Sequence, residues 1–306
     1  MKNKTVAIVG AGRVGGSVGS LLARAGMQVT AVATRSMATA EGARDFIGAG
    51  FATTDIVRAA SSADIVFLTT PDGAIRSVCD AIASGGGFRP GMLVVHTSGA
   101  HTLDLLDAAK GVGALRAVVH PLQAVPSRER GRENIPGSYF RIEADPEAGP
   151  AVRELVHALG GIELVMPRWR SDRQSAALYH AGAVAVSNYF VALIDYGLKF
   201  YQALGADRQD ALKAVLPLIK GTLGNIEKLG TAGALTGPIA RGDAETIKGH
   251  IAAMQERAPE LLPLYRALAR HTVAVAREKE SITDRVAGDL LGILGEGSAP
   301  AANRTR

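Results

Sequence analysis

A glycine-rich turn close to the N-terminus limits what this chain can fold into more than any other feature. Apolar residues 6–9 run directly into Gly10, Gly12 and Gly15, which keep the G-x-G-x-x-G spacing, and an amphipathic stretch follows. The pattern predicts a buried strand, a tight turn and a helix. Gly10 would permit the turn, Gly12 the close approach of a pyrophosphate, and Gly15 the packing of the helix on the strand.

A helix that begins in such a turn offers free N–H groups and the positive end of its dipole to phosphate groups. The turn therefore predicts a dinucleotide site, and a merely tight turn is the alternative. The residues expected to contact the cofactor are Gly10, Ala11, Gly12, Arg13, Val14 and Gly15.

The end of the second predicted strand, 28–33, bears on which dinucleotide binds. Sites for NAD usually carry an acidic residue there for the ribose hydroxyls, whereas this chain has Thr34, Arg35 and Ser36. An arginine and two hydroxyls suit a 2′-phosphate, which an acid would repel. We therefore expect NADP (NADPH) in preference to NAD. The alternative is that Arg35 is only a surface residue near the adenine.

Three later strands, predicted at 63–69, 92–96 and 114–119, each end in polar residues. In doubly wound folds ligands bind at the carboxyl ends of the strands, so these residues should face the nicotinamide end of the cofactor. The expected contacts are Thr70, Pro71, Asp72, Thr97, Ser98 and Gly99 for the cofactor and His120 for the substrate. Asp72 has a simpler alternative role as the cap of the helix that follows.

The rest of the first half extends the same sheet. Strands are predicted at 138–143 and 162–166 with a helix at 147–158 between them, and the arginine-rich segment 127–137 is expected to be a surface loop. From residue 172 no clear strand is visible. Helices are predicted at 172–203, 208–216, 218–229, 243–254 and 258–280.

The predicted fold is therefore α/β, with an N-terminal Rossmann-like, doubly wound and mostly parallel sheet followed by an all-α domain. We expect a dinucleotide-binding domain at 1–168, a helical substrate and dimerisation domain at 169–292, and a disordered tail at 293–306. Pro217 should separate or kink two helical segments. Gly221 and Gly224 suggest close packing or access of a ligand to the backbone.

Candidate catalytic residues lie in the first long helix of the second half. His180 and Asn188 are eight residues apart, near one face of a helix, with mostly small residues between them. Histidine can give a proton to a developing alkoxide or amide, and asparagine can orient a substrate carbonyl. Lys220 and Arg241 could bind a substrate carboxylate. Structural roles remain open for all four residues.

Composition limits the class of protein. The 306 residues carry a scattered net charge of +5 and only 5% aromatic residues, so we expect small anionic metabolites and no nucleic acid as partners. Cys79 is the single cysteine, which suits a reducing compartment. Gly10 and Arg13 break the apolar run that follows Lys2 and Lys4, so a signal peptide is not expected. We expect a cytoplasmic protein without a membrane span or a metal site.

Three segments resemble one known subgroup of proteins: His120–Gln123, the stretch from Tyr179 to Tyr189, and Leu235–Asp243. With the glycine turn and the helical half, they make the chain similar, over about residues 4–290, to the 6-phosphogluconate dehydrogenase-like superfamily. That superfamily includes ketopantoate reductase, pyrroline-5-carboxylate reductase and β-hydroxyacid dehydrogenases. The subgroup joins a Rossmann-like domain to a C-terminal domain of unknown function, and one branch is similar to an alternative ketopantoate reductase.

The resemblance implies a homodimer whose helical domains pack together and an active site between the two domains. Relatives use a lysine early in the second domain with an asparagine a turn later, whereas this chain has His180 and Val184 at about those places. We therefore expect an NADP-dependent reductase of a small 2-oxo acid or imino acid, with His180 as proton donor. The alternatives are a non-catalytic NADP-binding regulator or scaffold, and reduction of another redox cofactor.

Overall fold

The computed structural model describes residues 4–295, and its first half is built on one sheet of eight strands. Their order across the sheet is β3-β2-β1-β4-β5-β6-β7-β8. The strands are β1 Thr5–Val9, β2 Gln28–Ala33, β3 Phe51–Thr53, β4 Ile65–Leu68, β5 Leu93–His96, β6 Leu115–Pro121, β7 Tyr139–Ala144 and β8 Ile162–Glu163. Every pair is parallel except β6 and β7, which confirms the mostly parallel doubly wound sheet.

The central parallel strands β1 and β4 are almost wholly apolar because both of their faces are covered. In β1, Val6 and Ile8 pack into one core cluster, whereas Ala7 and Val9 pack into the other. Alternate side chains of a strand point to opposite faces, so helices cover both sides of the sheet. The carboxyl ends of β1, β4, β5 and β6 consequently meet along one edge.

The helices of the first half follow the strands in turn. They are α1 Arg13–Arg24, α2 Met37–Ile47, α3 Ile56–Ser61, α4 Asp72–Ser84, α5 Asp107–Gly111, α6 Arg128–Asn134, α7 Gly149–Ala158 and α8 Arg173–Val186. Helix α6 corrects the expectation of a surface loop at 127–137. Its N-cap Ser127 accepts a hydrogen bond from Arg130 N, and Gly131 lies so close to α1 that a Cβ there would be 2.2 Å from Oγ of Ser17.

The chain divides into two compact units, Met1–Asn188 and Tyr189–Arg306. The division falls about one helix later than the expected boundary at residue 168, because α8 belongs to the first unit. Ala176 of α8 is buried, and Tyr179 of α8 forms a hydrogen bond with His120 on β6. The expected tail, 293–306, lies outside the described residues from 296 onward, while residues 293 and 294 still belong to a helix.

The second unit is helical over its described residues, as predicted. Its helices are α9 Asn188–Ala203, α10 Arg208–Ala234, α11 Ala244–Arg257, α12 Leu262–Glu278 and α13 Asp284–Leu294, the first of which begins at the boundary residue. Asp243 caps α11 by accepting a hydrogen bond from Thr246 N. The core of this unit lies among α11, α12 and α13, where Ile247, Val273 and Leu290 are fully buried.

The helices of the second half differ from one expectation and bear on two others. Pro217 does not separate two helices, because it lies inside α10, and the residue of α10 with a non-helical backbone is Gly230, whose φ is +71°. A Cβ at Gly221 or Gly224 would meet nothing within 4 Å, so neither glycine marks close packing within the described structure. Access of a ligand to the backbone at these glycines stays a prediction. The predicted helix at 172–203 is interrupted at Ser187, where α8 ends and α9 begins.

The stretch Arg173–Ala203 also differs from expectation in its apolarity. Among residues 4–295 it is the one helical stretch that is long and apolar enough to cross a membrane, judged by length and composition alone. One such stretch is weak evidence for a span, and Asp195 and Lys199 place charges near its C-terminal end. Several of its large apolar side chains are exposed, including Leu178, Val186 and Val191, whereas Leu198 is buried.

Candidate active site

The glycine turn lies against the end of β4. Gly10 has a φ of +94°, and a Cβ there would lie 2.6 Å from Thr70 N. A Cβ at Gly15 would lie 2.2 Å from Oγ1 of Thr69, so only glycine lets α1 approach the sheet this closely. Gly12 is the N-cap of α1 and supplies no side-chain cap, which leaves the first N–H groups of the helix available to an anion.

Arg128 of α6 reaches this turn and was missed by the sequence analysis. Its Nη2 donates to Ala11 O at 2.8 Å and its Nε donates to Gly12 O at 3.2 Å. Oγ of Ser17 donates to the carbonyl of Arg128 at 2.9 Å, which fixes the start of α6 against α1. A cation therefore lies directly beside the turn that the pyrophosphate of a dinucleotide would contact.

The residues after β2 are arranged around the start of α2. Ser36 is the N-cap of α2 and accepts a hydrogen bond from Thr39 N, and Oγ1 of Thr34 donates to Ser36 O at 2.8 Å. Arg35 between them is exposed and makes no ion pair with any residue in the described range 4–295. Its guanidinium is therefore free to meet an anionic group at the end of β2.

The residues present fit a dinucleotide at this edge. The N-terminus of α1 carries unpaired N–H groups, Arg128 adds a positive charge, and Arg35 lies after the neighbouring strand. Oγ1 of Thr70 is buried without a hydrogen-bond partner among the described residues, beside Gly10. Buried hydroxyls are normally paired, so this atom is the kind that a bound ligand satisfies.

The ends of β4 and β5 are joined by a polar network. Oγ of Ser98 donates to Oδ2 of Asp72 at 2.8 Å and lies 2.9 Å from Nδ1 of His101. Asp72 is the first residue of α4, whose N-cap is Pro71, so the simpler cap role for Asp72 is not found. No cluster of three or more histidine, cysteine, aspartate or glutamate residues that could hold a metal is found between residues 4 and 295.

His96, at the end of β5, is fully buried and organises the loop that follows. Ser98 N donates to its Nδ1 at 3.1 Å, so Nε2 carries the proton and donates to Thr102 O at 3.0 Å. Burial lowers the pKa of His96 to about 4, so the ring is neutral and its role is to hold the loop.

Two imidazole rings meet at Gly99 in that loop. A Cβ at Gly99 would lie 2.7 Å from Nε2 of His120 and 2.9 Å from Nδ1 of His180. The ring centroids of the two histidines are 6.5 Å apart, and Nδ1 of His180 is buried without a partner among the described residues. Two residues predicted for the site from distant parts of the chain are thus brought together at the carboxyl edge of the sheet.

His120 is held neutral by its surroundings. Burial, followed by the positive charge of Arg141, lowers its pKa to about 3. The hydroxyl of Tyr179 lies 2.9 Å from Nδ1 of His120, and burial raises the pKa of this tyrosine to about 12. Both groups are uncharged near neutral pH, so this contact is a bond between a phenol and a neutral imidazole.

Arg141 is a fully buried arginine, and the sequence analysis did not identify it. It stands opposite His120 in the antiparallel pair of β6 and β7. Its guanidinium donates to Ser98 O at 3.0 Å, to His101 O at 2.6 Å and to Oε2 of Glu143 at 3.1 Å. Ser171 donates to the other carboxylate oxygen of Glu143. The guanidinium also lies 4.8 Å from the ring centroid of Trp169.

The remaining predicted residues lie elsewhere. Asn188 starts α9, beyond the break at Ser187, so it does not share a helix with His180. Lys220 and Arg241 belong to the second unit and are exposed, and Nη2 of Arg241 lies 4.0 Å from Oδ2 of Asp243. Their roles toward a substrate remain predictions.

Two family models match successive parts of the chain. A model of a Rossmann-like domain matches residues 2–121, and a model described as a domain of unknown function (DUF2520) matches residues 138–272. The chain joins a Rossmann-like domain to a DUF2520 domain. This pairing confirms the subgroup predicted from the sequence. The DUF2520 match includes β7 and β8, so Arg141 and Glu143 belong to it although they lie in the sheet.

Individual proteins extend the likeness to nearly the whole chain. A 4-amino-4-deoxyprephenate dehydrogenase from Streptomyces pristinaespiralis is 28% identical, over 97% of this chain and 93% of the relative. A Bacteroides fragilis protein provisionally assigned as an NADP oxidoreductase has a TM-score of 0.69 at 22% identity, covering 89% of this chain and 99% of the other. A pyrroline-5-carboxylate reductase from Coxiella burnetii has a TM-score of 0.55 at 18% identity, covering 92% and 100%. The fold is that of NAD(P)-dependent oxidoreductases.

Proposed function

We propose that the protein is an NADP-dependent oxidoreductase that reduces a small 2-oxo acid, such as ketopantoate, or an imino acid by hydride transfer. One observation carries this proposal. His120 and His180 converge on Gly99 at the carboxyl edge of the sheet that also carries the glycine turn. A dinucleotide cradle and a pair of imidazoles on one sheet edge supply what reduction of a carbonyl needs.

NADPH, when bound, supplies the hydride to the carbonyl carbon, and the protein must supply a proton to the oxygen. His180 is the candidate donor because its Nδ1 is free of partners among the described residues and faces Gly99. His120, neutral and fixed through Nδ1 by Tyr179, would donate from Nε2 to orient the substrate oxygen. Asn188, Lys220 and Arg241 stay candidates for binding the substrate's carboxylate or carbonyl.

The assay is NADPH oxidation with a panel of 2-oxo acids and cyclic imino acids. His180→Gln should lower kcat by about a hundredfold or more, the range expected for loss of a general acid. His157→Gln, a change at an exposed histidine of α7, is the matched control. Tight NADPH binding without turnover across the panel would favour the alternative, a non-catalytic NADP-dependent regulator or scaffold.

The preference for NADP rests on Arg35. Arg35→Asp should weaken NADPH binding and strengthen NADH binding, because a carboxylate repels the 2′-phosphate and accepts from a ribose hydroxyl. Dissociation constants for both dinucleotides give the answer without any substrate. An unchanged preference would remove Arg35 from the 2′-phosphate site.

The reverse direction is a second candidate function. The Streptomyces pristinaespiralis relative is named as a dehydrogenase and matches almost the whole chain. We therefore include reduction of NADP⁺ by ring-bearing acids in the same assay. Turnover in that direction alone would replace the proposed reductase with a dehydrogenase that uses the same cradle and histidines.

We further propose that the protein is a cytoplasmic homodimer joined through its helical unit. Support comes from large apolar side chains that are exposed on α9 and α10, among them Val191, Leu218 and Leu229. Leu218 and Leu229 lie about three turns apart on one face of α10, and an exposed apolar face marks contact with another protein or a membrane. Light scattering should give twice the chain mass without detergent, and Leu218→Arg with Leu229→Arg should give monomers. A requirement for detergent would instead favour a lipid contact.

A further inference from the structure

A solvent-open cavity of about 510 Å³ in the first unit is lined in part by Tyr179, the residue that contacts His120, and the proposed mechanism does not use it. Its walls are almost wholly apolar and come from the segment before α8 and from one face of α8. The residues that matter are Met166, Pro167, Trp169, Leu178, Tyr179 and Gly182. The last three lie on one side of the helix, so the helix presents a continuous apolar wall.

The size of the cavity bears on what it holds. Small-molecule sites in proteins span about 300–1,000 Å³ and are lined mainly by apolar and aromatic side chains with a few polar groups. A cavity of about 510 Å³ falls in this range and exceeds the need of an acid of a few carbon atoms. Its lining suits a ring or a branched hydrocarbon chain.

One wall carries a charge. Arg168 lines the cavity, is exposed to solvent, and makes no hydrogen bond or ion pair with a side chain between residues 4 and 295. An arginine fork pairs with a carboxylate through two parallel bonds. The cavity therefore combines an apolar interior with an unpaired cation, which is complementary to an apolar carboxylic acid.

Tyr179 connects the cavity to the histidines. Its ring lies edge-on to Trp169, with centroids 6.3 Å apart, and its hydroxyl lies 2.9 Å from Nδ1 of His120. Arg141 lies 4.8 Å from the centroid of the same indole and holds it in place. A group seated in the cavity is thus separated from His120 by a single aromatic ring.

We infer that this cavity binds carboxylic acids that carry an aryl, alicyclic or branched apolar group, with Arg168 pairing to the carboxylate. The inference rests on the proposed function, since it assigns a substrate class to a cavity that adjoins the two histidines through Tyr179. It narrows the proposed small acids to those with a bulky apolar group. The affinity of the site should rise with the size of that group until the cavity is full.

Trp169 is the single tryptophan of the chain and lines the cavity, so its emission reports on occupancy directly. The probes are 3-phenylpropionate, propionate and 3-phenylpropanamide, which separate the ring from the charge. Gly182→Leu fills the cavity: a Cβ there meets nothing within 4 Å, and a helical residue other than glycine is favourable. Gly249→Leu on α11, where the space is equally open, is the control.

We expect a saturable change of Trp169 emission with 3-phenylpropionate and an affinity for propionate at least tenfold lower. Gly182→Leu should lower the affinity for 3-phenylpropionate about tenfold, and Gly249→Leu should leave it unchanged. Arg168→Gln should weaken the binding of 3-phenylpropionate and leave the affinity for 3-phenylpropanamide unchanged.

Absence of a saturable change, or equal affinity in Gly182→Leu, overturns the inference. So does an emission that responds only to protein concentration, which would show a second copy covering the cavity. The titration uses neither NADPH nor turnover, so failure of the proposed reductase activity is recorded separately in the NADPH assay.

Discussion

The hydroxyl oxygen of Tyr179 lies 2.9 Å from Nδ1 of His120. The pKa of the phenol is raised to about 12 and that of the imidazole is lowered to about 3, both chiefly by burial. Neither group changes charge between those values, so the phenol donates to Nδ1 throughout. The proton of the neutral ring is then on Nε2, the nitrogen that faces Gly99.

Tyr179→Phe should remove the constraint that keeps the proton of the neutral His120 ring on Nε2. Loss of one hydrogen bond costs about 1 kcal/mol of stability, and the ring proton becomes free to occupy either nitrogen. Imidazole ¹⁵N shifts should show an unprotonated Nδ1 in the wild type and a mixture in the variant. A His120 that gains a second proton near pH 6.5, its ordinary pKa, would contradict the neutral ring.

Arg128→Gln should weaken NADPH and NADH binding by the same factor, about tenfold, equivalent to about 1.4 kcal/mol. The change removes a charge and two hydrogen bonds beside the glycine turn, where neither dinucleotide differs. Arg130→Gln is the control, since Arg130 pairs with Glu133 on the exposed side of α6. Equilibrium binding of both dinucleotides gives the measurement. An altered ratio of the two affinities would place Arg128 at the 2′-phosphate instead.

Arg141→Met should destabilise the first unit by about 3–5 kcal/mol, because it leaves the buried Glu143 without its partner. The double variant with Glu143→Gln should recover part of this loss, as measured by denaturant unfolding. The pKa of His120 should also rise, since the charge of Arg141 is one of the causes that lower it. Equal free energies of unfolding for the single and the double variant would show that the charges of Arg141 and Glu143 do not contribute to stability as a pair.

His96 should make stability depend on pH below neutrality. Its pKa falls from 6.5 in the unfolded chain to about 4 in the fold, so the unfolded state binds more protons between those values. Stability is therefore complete above pH 6.5 and declines as the pH falls toward 4. The loss amounts to about 3 kcal/mol at 1.36 kcal/mol for each pKa unit.

The variant that isolates this effect is His96→Asn. Its amide oxygen can still accept from Ser98 N, but the side chain does not titrate. Unfolding free energies measured across this pH range should decline less steeply in the variant. Parallel curves for the two proteins would assign the pH dependence to other groups.

The features predicted well from the sequence are those set by local pattern. Strand β2 was predicted at the residues where it lies. The spacing of Gly10, Gly12 and Gly15 predicts the tight turn and the close approach of α1 to the sheet. His120 and His180 were each predicted for the site because of the chain segments that surround them. Their approach to within 6.5 Å depends on the placement of α8, which a single sequence does not reveal.

The features that were missed depend on tertiary contacts. Arg128 lies in a segment that was expected to be a surface loop, and Arg141 lies in a predicted strand where nothing in the local sequence marks an arginine as buried, since arginine is usually exposed. Gly131 allows α6 to reach α1, and the antiparallel strand β7 brings Arg141 beside His120. The break at Ser187 was invisible because the residues on both sides are compatible with a helix.

The antiparallel direction of β7 also constrains how the chain length can vary. Arg141 and Glu143 point to one face of the sheet, whereas Phe140 and Ile142 pack into the core on the other face. A one-residue insertion that shifted β7 along β6 would exchange the two sets, placing a phenylalanine or isoleucine opposite His120 and an arginine in the core. Related chains can therefore change length between β6 and β7 freely only in the segments on either side of α6, where the change need not move the strand. Any slippage of the strand itself has to come in steps of two residues.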